Sequence, residues 1–573
     1  MDNFVSRHVA MAALAIIIAL PGTGFAESGP GAYLAGRAAA RDSDFSSAVQ
    51  YYTRALAQDR DNPSLMDSVT ASQLAMGRVD RALPVAKYME QLGLKSQVAH
   101  MVVTASLIAA EDFDALLARD METVGIGPLV DGLIKGWAYI GAGSQALALE
   151  QFDKVAGESG LRGFALYHKA IALASVGDFQ AADAIFAAEN GRLTSMARRA
   201  ALARVQILSQ LGRNAVALEL LAETFDGVFD PGLTDVADRL ASGEKLPFDH
   251  VTSVQDGMAE VFYIIGAALA GETAGDYALI YARIAGYLRP NHIDALLLSA
   301  EILDNLGQYA LAVETYKQVP LGSPEHNAAE LGRAEALRRA AKPDAAIEVL
   351  ERLAQDFPNL PRVHSALGDL QRQQENYEAA IKAYDRALEY TESDARGRWF
   401  LLYARGISHE RLDMWDQSEA DFRAALELSP EQPQVLNYLG YSLVEKQSNL
   451  DEALDMIQRA VAARPDSGYI VDSLGWVLYR LGRYDEAVGH MEQAVELMAV
   501  DPVVNDHLGD VYWAVGRFRE ARFQWKRALS FVDPEDTDAE ADPTRIRRKI
   551  EVGLDTVLAE EGADPLKVAD EDG

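Results

Sequence analysis

In the stretch NDHLGD (505–510), two carboxylates and an imidazole fall within five positions: Asp506, His507 and Asp510. Carboxylates beside a histidine can hold a divalent metal or share a proton in acid–base work. On a helix the two aspartates, four apart, share a face. His507 lies about 100° around the helix from Asp506 and points elsewhere. No third ligand cluster lies near it in sequence, so no metal and no cofactor is assigned. The chain has no cysteine, which removes thiolate nucleophiles, cysteine-based zinc sites and thiol-anchored lipids. It also has no GxxxxGK[ST], HExxH or GxSxG. The Gly-rich GAGSQA (141–146) falls at a turn within a repeated unit. The expectation is a protein that is not an enzyme.

The 573 residues are 49% hydrophobic, and 86 acidic against 53 basic residues leave a net charge of -33. That sign repels nucleic acid and anionic lipid and attracts cationic surfaces. At the N-terminus Arg7 precedes the apolar run VAMAALAIIIAL (9–20), and small residues follow up to Ala26. This reads as a signal peptide over 1–26. The run is too short for a comfortable membrane span. A periplasmic or secreted chain without stable membrane insertion after cleavage is expected; an uncleaved anchor is the alternative. Glu27 stands where a lipoprotein would carry cysteine.

What positions NDHLGD is a repeat. LGYSLVEKQSNLDEALDMIQRAVAARP, LGWVLYRLGRYDEAVGHMEQAVELMAV and LGDVYWAVGRFREARFQWKRALSFVDP align through Gly440, Gly475 and Gly509, then through Ala453, Ala487 and Ala521. The small-residue marker recurs at Gly36, Thr70, Val103, Gly136, Ala170 and Val205, and again at Gly266, Ala300, Ala334, Gly368, Gly406, Gly440, Gly475 and Gly509. A period near 34 with two helical patterns per unit resembles the tetratricopeptide repeat (TPR). The resemblance implies an all-α solenoid, a right-handed superhelix of about 14 antiparallel helix pairs. Small residues let helix A approach helix B, and large ones such as Phe152, Phe186, Tyr316, Tyr384 and Phe422 plug the gaps. A bulky side chain at Ala487 should overpack.

Between Val205 and Gly266 the register breaks. The expected organisation is a first block over 27–224, an irregular connector over 225–260, a second block over 261–534, and over 535–573 an acidic linker, a capping helix and a disordered tail. Ile546, Ile550, Leu554 and Val557 at helical spacing suit the cap.

In this family helix A lines a concave groove. The positions that map onto it are Phe400, Tyr403, Asn437, Tyr441, Tyr469, Asp472, Trp476, Tyr479, Arg480, Asp506, Asp510 and Trp513. Asn437, Asp472 and Asp506 form one ladder of equivalent positions, and Tyr441, Trp476 and Asp510 a second. Rigid aromatics among carboxylates suit capture of a protein or peptide partner with basic segments. The phrases LNYLGY, DSLGW and HLGD, within about 400–530, resemble bacterial envelope adaptors that deliver cell-wall hydrolases to a carboxyl-terminal processing protease. That resemblance implies a periplasmic protease as partner. A scaffold for envelope polysaccharide export or outer-membrane assembly is the alternative. A hydrolase using Asp472, Asp506 and Asp510 is a third reading.

Overall fold

The computed structural model describes residues 29–189, 193, 198–225, 227, 229–271, 275–393, 395–532, 541–563 and 565–566. The signal peptide, most of the acidic linker and most of the expected disordered tail lie outside the described residues. Those described form 32 helices and no strand. Six antiparallel pairs run from Gly29 to Thr224 and eight from Val254 to Phe531. Each small-residue marker falls in the first helix of a pair, helix A.

The pair Pro502–Ala514 and Phe518–Phe531 shows how the sequence builds the unit. Asp501 caps the first helix, its carboxylate accepting from Val504 N at 3.0 Å, and Pro502 occupies the first turn, where no amide donor is needed. Gly516, at φ +77°, turns the chain into helix B. A Cβ on Gly509 would sit 2.4 Å from the Trp525 ring, so only glycine admits the indole there. The same lock joins Gly136 to Phe152 (2.4 Å), Gly368 to Tyr384, Gly406 to Phe422 and Gly440 to Ile457 (2.7 Å each), and Gly475 to Met491 (2.3 Å). Gly266 faces Tyr281 less tightly, at 3.0 Å. Ala453, Ala487 and Ala521 are fully buried on helix B. Gly406→Ala should therefore overpack the pair against the immobile Phe422 ring and cost about 1–3 kcal/mol. Urea melts would show a lower midpoint at unchanged slope.

The chain divides into two compact units, one up to Val349 and one from Leu350. The connector 225–260 thus lies inside the first unit rather than between blocks, and the pair after it begins at Val254 rather than 261. The connector holds one helix, Pro231–Ala241, capped by Asp230. The extended stretch after it is held by Ser209 Oγ, which accepts from Leu246 N at 2.9 Å, and by Arg289, which donates to the His250 carbonyl at 2.7 Å. This turn sends Val254–Ala270 and Gly275–Leu288 back onto the helix-A face of the first pairs, against Pro63–Ala75, Gln97–Ala109, Pro128–Gly141 and Arg162–Ser175. Arg283 donates to the Ala75 carbonyl at 3.1 Å, Tyr287 to Asp80 at 3.1 Å, and Gly257 admits the Trp137 ring. Gln97–Ala109 is consequently buried nearly all round, including Met101, Val102, Val103 and Ile108. Over these four pairs the first unit fills its own helix-A face.

A polar cluster pins this fold-back. Glu260, 0% exposed, accepts from Arg199 Nε at 3.0 and 2.9 Å and from the Tyr167 hydroxyl at 2.8 Å, and lies 3.3 Å from His292 Nε2. Arg199 also donates to Asp294 at 2.7 Å, and Tyr167 meets His250 at 2.7 Å. Despite burial, the guanidinium and the two histidines hold the Glu260 carboxyl well below its ordinary range.

In the second unit the expected cap is two helices, Pro543–Val552 and Leu554–Glu561, rather than one. Gly553, at φ +88°, breaks them where a Cβ would meet the Trp513 ring at 2.3 Å. Ile546, Leu554 and Val557 are buried as a cap requires, and Ile550 packs at the edge of the same core.

Candidate partner-binding site

NDHLGD lies in helix A of the last pair, and the cation its aspartates hold belongs to the chain itself. Lys549, on Pro543–Val552, is 0% exposed. Its ammonium donates to both Asp506 oxygens at 2.8 Å and to those of Asp510 at 2.7 and 2.9 Å. The shared face expected of the two aspartates is thus real, but it is covered. Trp525 Nε1 donates to Asp510 at 2.8 Å, and Arg545 stands 3.8 Å from the same carboxylate. Burial pushes the Asp506 carboxyl above its usual value, and the neighbouring Asp510 pushes the same way against the pull of Lys549. Trp513, expected to line an open groove, is also enclosed by the cap, its indole donating to Asp555 at 2.9 Å.

His507 turns to the preceding helix A, as its offset requires. Its Nδ1 meets Asp472 at 3.1 Å, and its ring stacks on Trp476 with centroids 3.9 Å apart. Trp476 stacks in turn on Tyr479, and its indole donates to Glu445 at 3.2 Å. Arg480 donates to the same carboxylate at 2.8 Å. Asp472 and Tyr479 are therefore buried packing groups, and Trp476 and Arg480 are tied to Glu445. Asn437, on the same ladder as Asp472 and Asp506, is 2% exposed, and its Oδ1 has no hydrogen-bond partner among the described residues.

What stays open lies earlier in the unit. Phe400 is 38% exposed and Tyr469 58%. Between them Trp399, Tyr403, Phe422 and Tyr438 form one continuous aromatic cluster: Tyr403 lies 6.0 Å from both Phe422 and Tyr438, and Trp399 meets Phe400 edge-on at 5.8 Å. Burial and the nearby Tyr469 raise the Tyr403 phenol to about 12, so it remains a neutral donor. Tyr441 is half-buried beside this patch. Glu410, which accepts from the Tyr438 hydroxyl at 3.2 Å, places a carboxylate beside it, whereas Glu445 is already paired with Arg480. Of the twelve positions expected in the groove, Phe400, Tyr403, Tyr441 and Tyr469 thus form an accessible aromatic surface.

Sequence reasoning missed Lys549, Arg545 and the pairing of His507. Lys549 had a readable signal. It lies three residues after Ile546 and next to Ile550, a lysine on the apolar side of an amphipathic helix. The pairs between successive helices A and with the cap had none, since they join residues 31 to 43 apart.

Family models described as tetratricopeptide repeat match residues 297–361, 403–468 and 445–502, and a second such model matches 337–405. A TPR repeat-containing protein of Pseudomonas aeruginosa is 28% identical over 175 residues, 30% of this chain and 29% of that protein. Protein O-mannosyl-transferase TMTC1 of Homo sapiens is 24% identical over 170 residues, 30% of this chain and 19% of that protein. The chain therefore spans less than a third of the length of each of these relatives. Among solved structures, the APC/C hetero-tetramer Cut9–Hcn1 aligns over 93% of this chain and 98% of that chain, at 14% identity and TM-score 0.38. YrrB, a TPR protein with an unusual peptide-binding site, aligns over 33% and 95%, at 20% identity and TM-score 0.27. The glycine-locked helix pairs, their period and the matching family models show that this chain carries tetratricopeptide repeats.

Proposed function

We propose that the chain is a non-catalytic scaffold that holds protein partners on the helix-A face of its second unit, over about residues 398–480. The observation that carries this reading is the aromatic surface of Phe400, Tyr403 and Tyr469, backed by the buried Phe422 ring and by Tyr438, which bonds to Glu410. Preordered aromatics give contact area at little entropic cost, and the Glu410 carboxylate favours a segment carrying lysine or arginine. In the first unit Val254–Leu288 covers the helix-A face of four pairs, from Pro63–Ala75 to Arg162–Ser175. A hydrolase built on Asp472, Asp506 and Asp510 is disfavoured, because all three are buried against His507 or Lys549.

The N-terminal pattern supports export, so the periplasm is the proposed compartment. The finer reading is an adaptor bringing a cell-wall hydrolase to a carboxyl-terminal processing protease, supported by the LNYLGY, DSLGW and HLGD phrases. A photoreactive residue at Phe400 should crosslink in cells to a defined set of envelope proteins that includes such a protease. One at Leu147, 47% exposed in the first unit, should not. Phe400→Ala with Tyr469→Ala should weaken the captured complex about 30-fold or more, as loss of hot-spot aromatics does. Equal capture at both positions, or none at Phe400, overturns the scaffold reading; capture without a protease overturns the adaptor reading.

A further inference from the structure

We infer that Pro543–Glu561 is an exchangeable internal ligand, and that the Asp506–Asp510 seat takes a lysine-bearing amphipathic helix from a partner in its place. This rests on the reading of the helix-A face as the partner-binding surface and names the partner chemistry at its end. The resident helix displays that chemistry: an isoleucine, Ile546, buried in the same apolar core as Trp525 and Trp513, and three residues later Lys549, its ammonium 5.7 Å over the Trp525 ring and shared by four carboxylate oxygens.

Two features argue that the seat selects a ligand rather than merely closing the array. A terminal cap needs an apolar inner face and a polar outer one. Here two carboxylates and an ammonium are buried beside that apolar face, an arrangement that is often no more stable than an apolar one of the same volume but that rejects segments lacking the charge. The resident is also short. Its helices span 10 and 8 residues, broken by Gly553, lengths that are marginal in water without their seat. The segment therefore belongs to the low-stability end of the unit, where local opening precedes global unfolding.

The test uses the full chain, wild type and Lys549→Met, with a fluorescent peptide of sequence ADPTRIRRKIEVGLDTVLAEE, residues 541–561. Weakening the resident frees the seat, so Lys549→Met should bind the peptide roughly tenfold or more tighter than wild type. A peptide with methionine for its lysine should bind neither chain. In wild type, amides of 543–561 should exchange with deuterium on the order of 100-fold faster than those of Pro502–Ala514. Exchange at equal rates, no peptide binding to the folded variant, or binding indifferent to the peptide's lysine overturns the proposal. Partner capture at Phe400 is scored separately: its failure with peptide exchange intact would sink the scaffold reading and leave the seat standing.

Discussion

Glu260→Ala should destabilise the first unit by about 3–5 kcal/mol, because it strands a buried guanidinium without its carboxylate. Arg199 donates twice to Glu260 and keeps only the partly exposed Asp294 as anionic partner when Glu260 is gone. Tyr167 loses an acceptor in the same step, and an unsatisfied buried hydroxyl adds to the cost. The chain supplies its own probe. Trp137 is the only tryptophan before Val349, is fully buried, and touches Gly257 on the helix that carries Glu260. With the other five tryptophans replaced by phenylalanine, urea melts followed by indole emission should report the first unit alone. Pairing the substitution with Arg199→Met should recover part of the loss, since removing both charges leaves neither unpaired. An unchanged midpoint for Glu260→Ala would mean that the cluster does not pin the fold-back.

The second large effect is acid sensitivity of the same unit. His168 is fully buried, accepts from Trp137 Nε1 at 3.1 Å, and is pushed down to about 3 by burial. Burial, and then the neighbouring Arg199, also lower His250 and His292. A histidine lowered in the folded state binds its proton first in the unfolded chain. Its contribution is therefore complete above the unfolded value near 6.5 and lost as pH falls toward the folded value. For His168 the cost is about 1.4 kcal/mol per pH unit in that window, about 2 kcal/mol between pH 6.5 and 5. Asp131 and Glu325, raised by burial, act in the opposite direction, but only near the carboxylate range. The Trp137-reported midpoint should fall steadily below pH 6.5, and His168→Gln should reduce the slope by about one proton. A midpoint flat from pH 7 to 5 would contradict the assignment.

The repeat was legible because it rests on local chemistry repeated many times. Glycine or alanine on helix A, a large residue sixteen or seventeen positions on, and alanines on helix B each leave a mark in sequence, and the structure shows why: Gly406 and Gly509 leave room for Phe422 and Trp525. The fold-back was not legible, although Gln97–Ala109 carried a trace of it. QVAHMVVTASLIA is apolar on more faces than one groove-lining helix needs, which is what a helix covered on both sides requires. At the candidate site, the face shared by Asp506 and Asp510 and the aromatic character of 400–476 could be read. Which carboxylates stayed open could not, because Lys549, His507 and Arg480 satisfy them from other helices. Helical periodicity assigns a residue to a face; it does not say what covers that face.

The fold-back also sets a clock on synthesis. Arg283 and Tyr287 meet Ala75 and Asp80 across 208 and 207 residues of chain. An array in which each repeat leans only on its neighbour folds as it emerges; this one closes a loop first. At about 5–20 residues per second, the span between Ala75 and Arg283 takes about 10–40 s to appear. From their own synthesis until then, Met101, Val102, Val103 and Ile108 lie on a helix that lacks two of its covering helices, Val254–Ala270 and Gly275–Leu288. The nascent chain thus carries an apolar surface with a fixed lifetime, long enough for a holding chaperone or a translocation machinery to engage it before the first unit shuts.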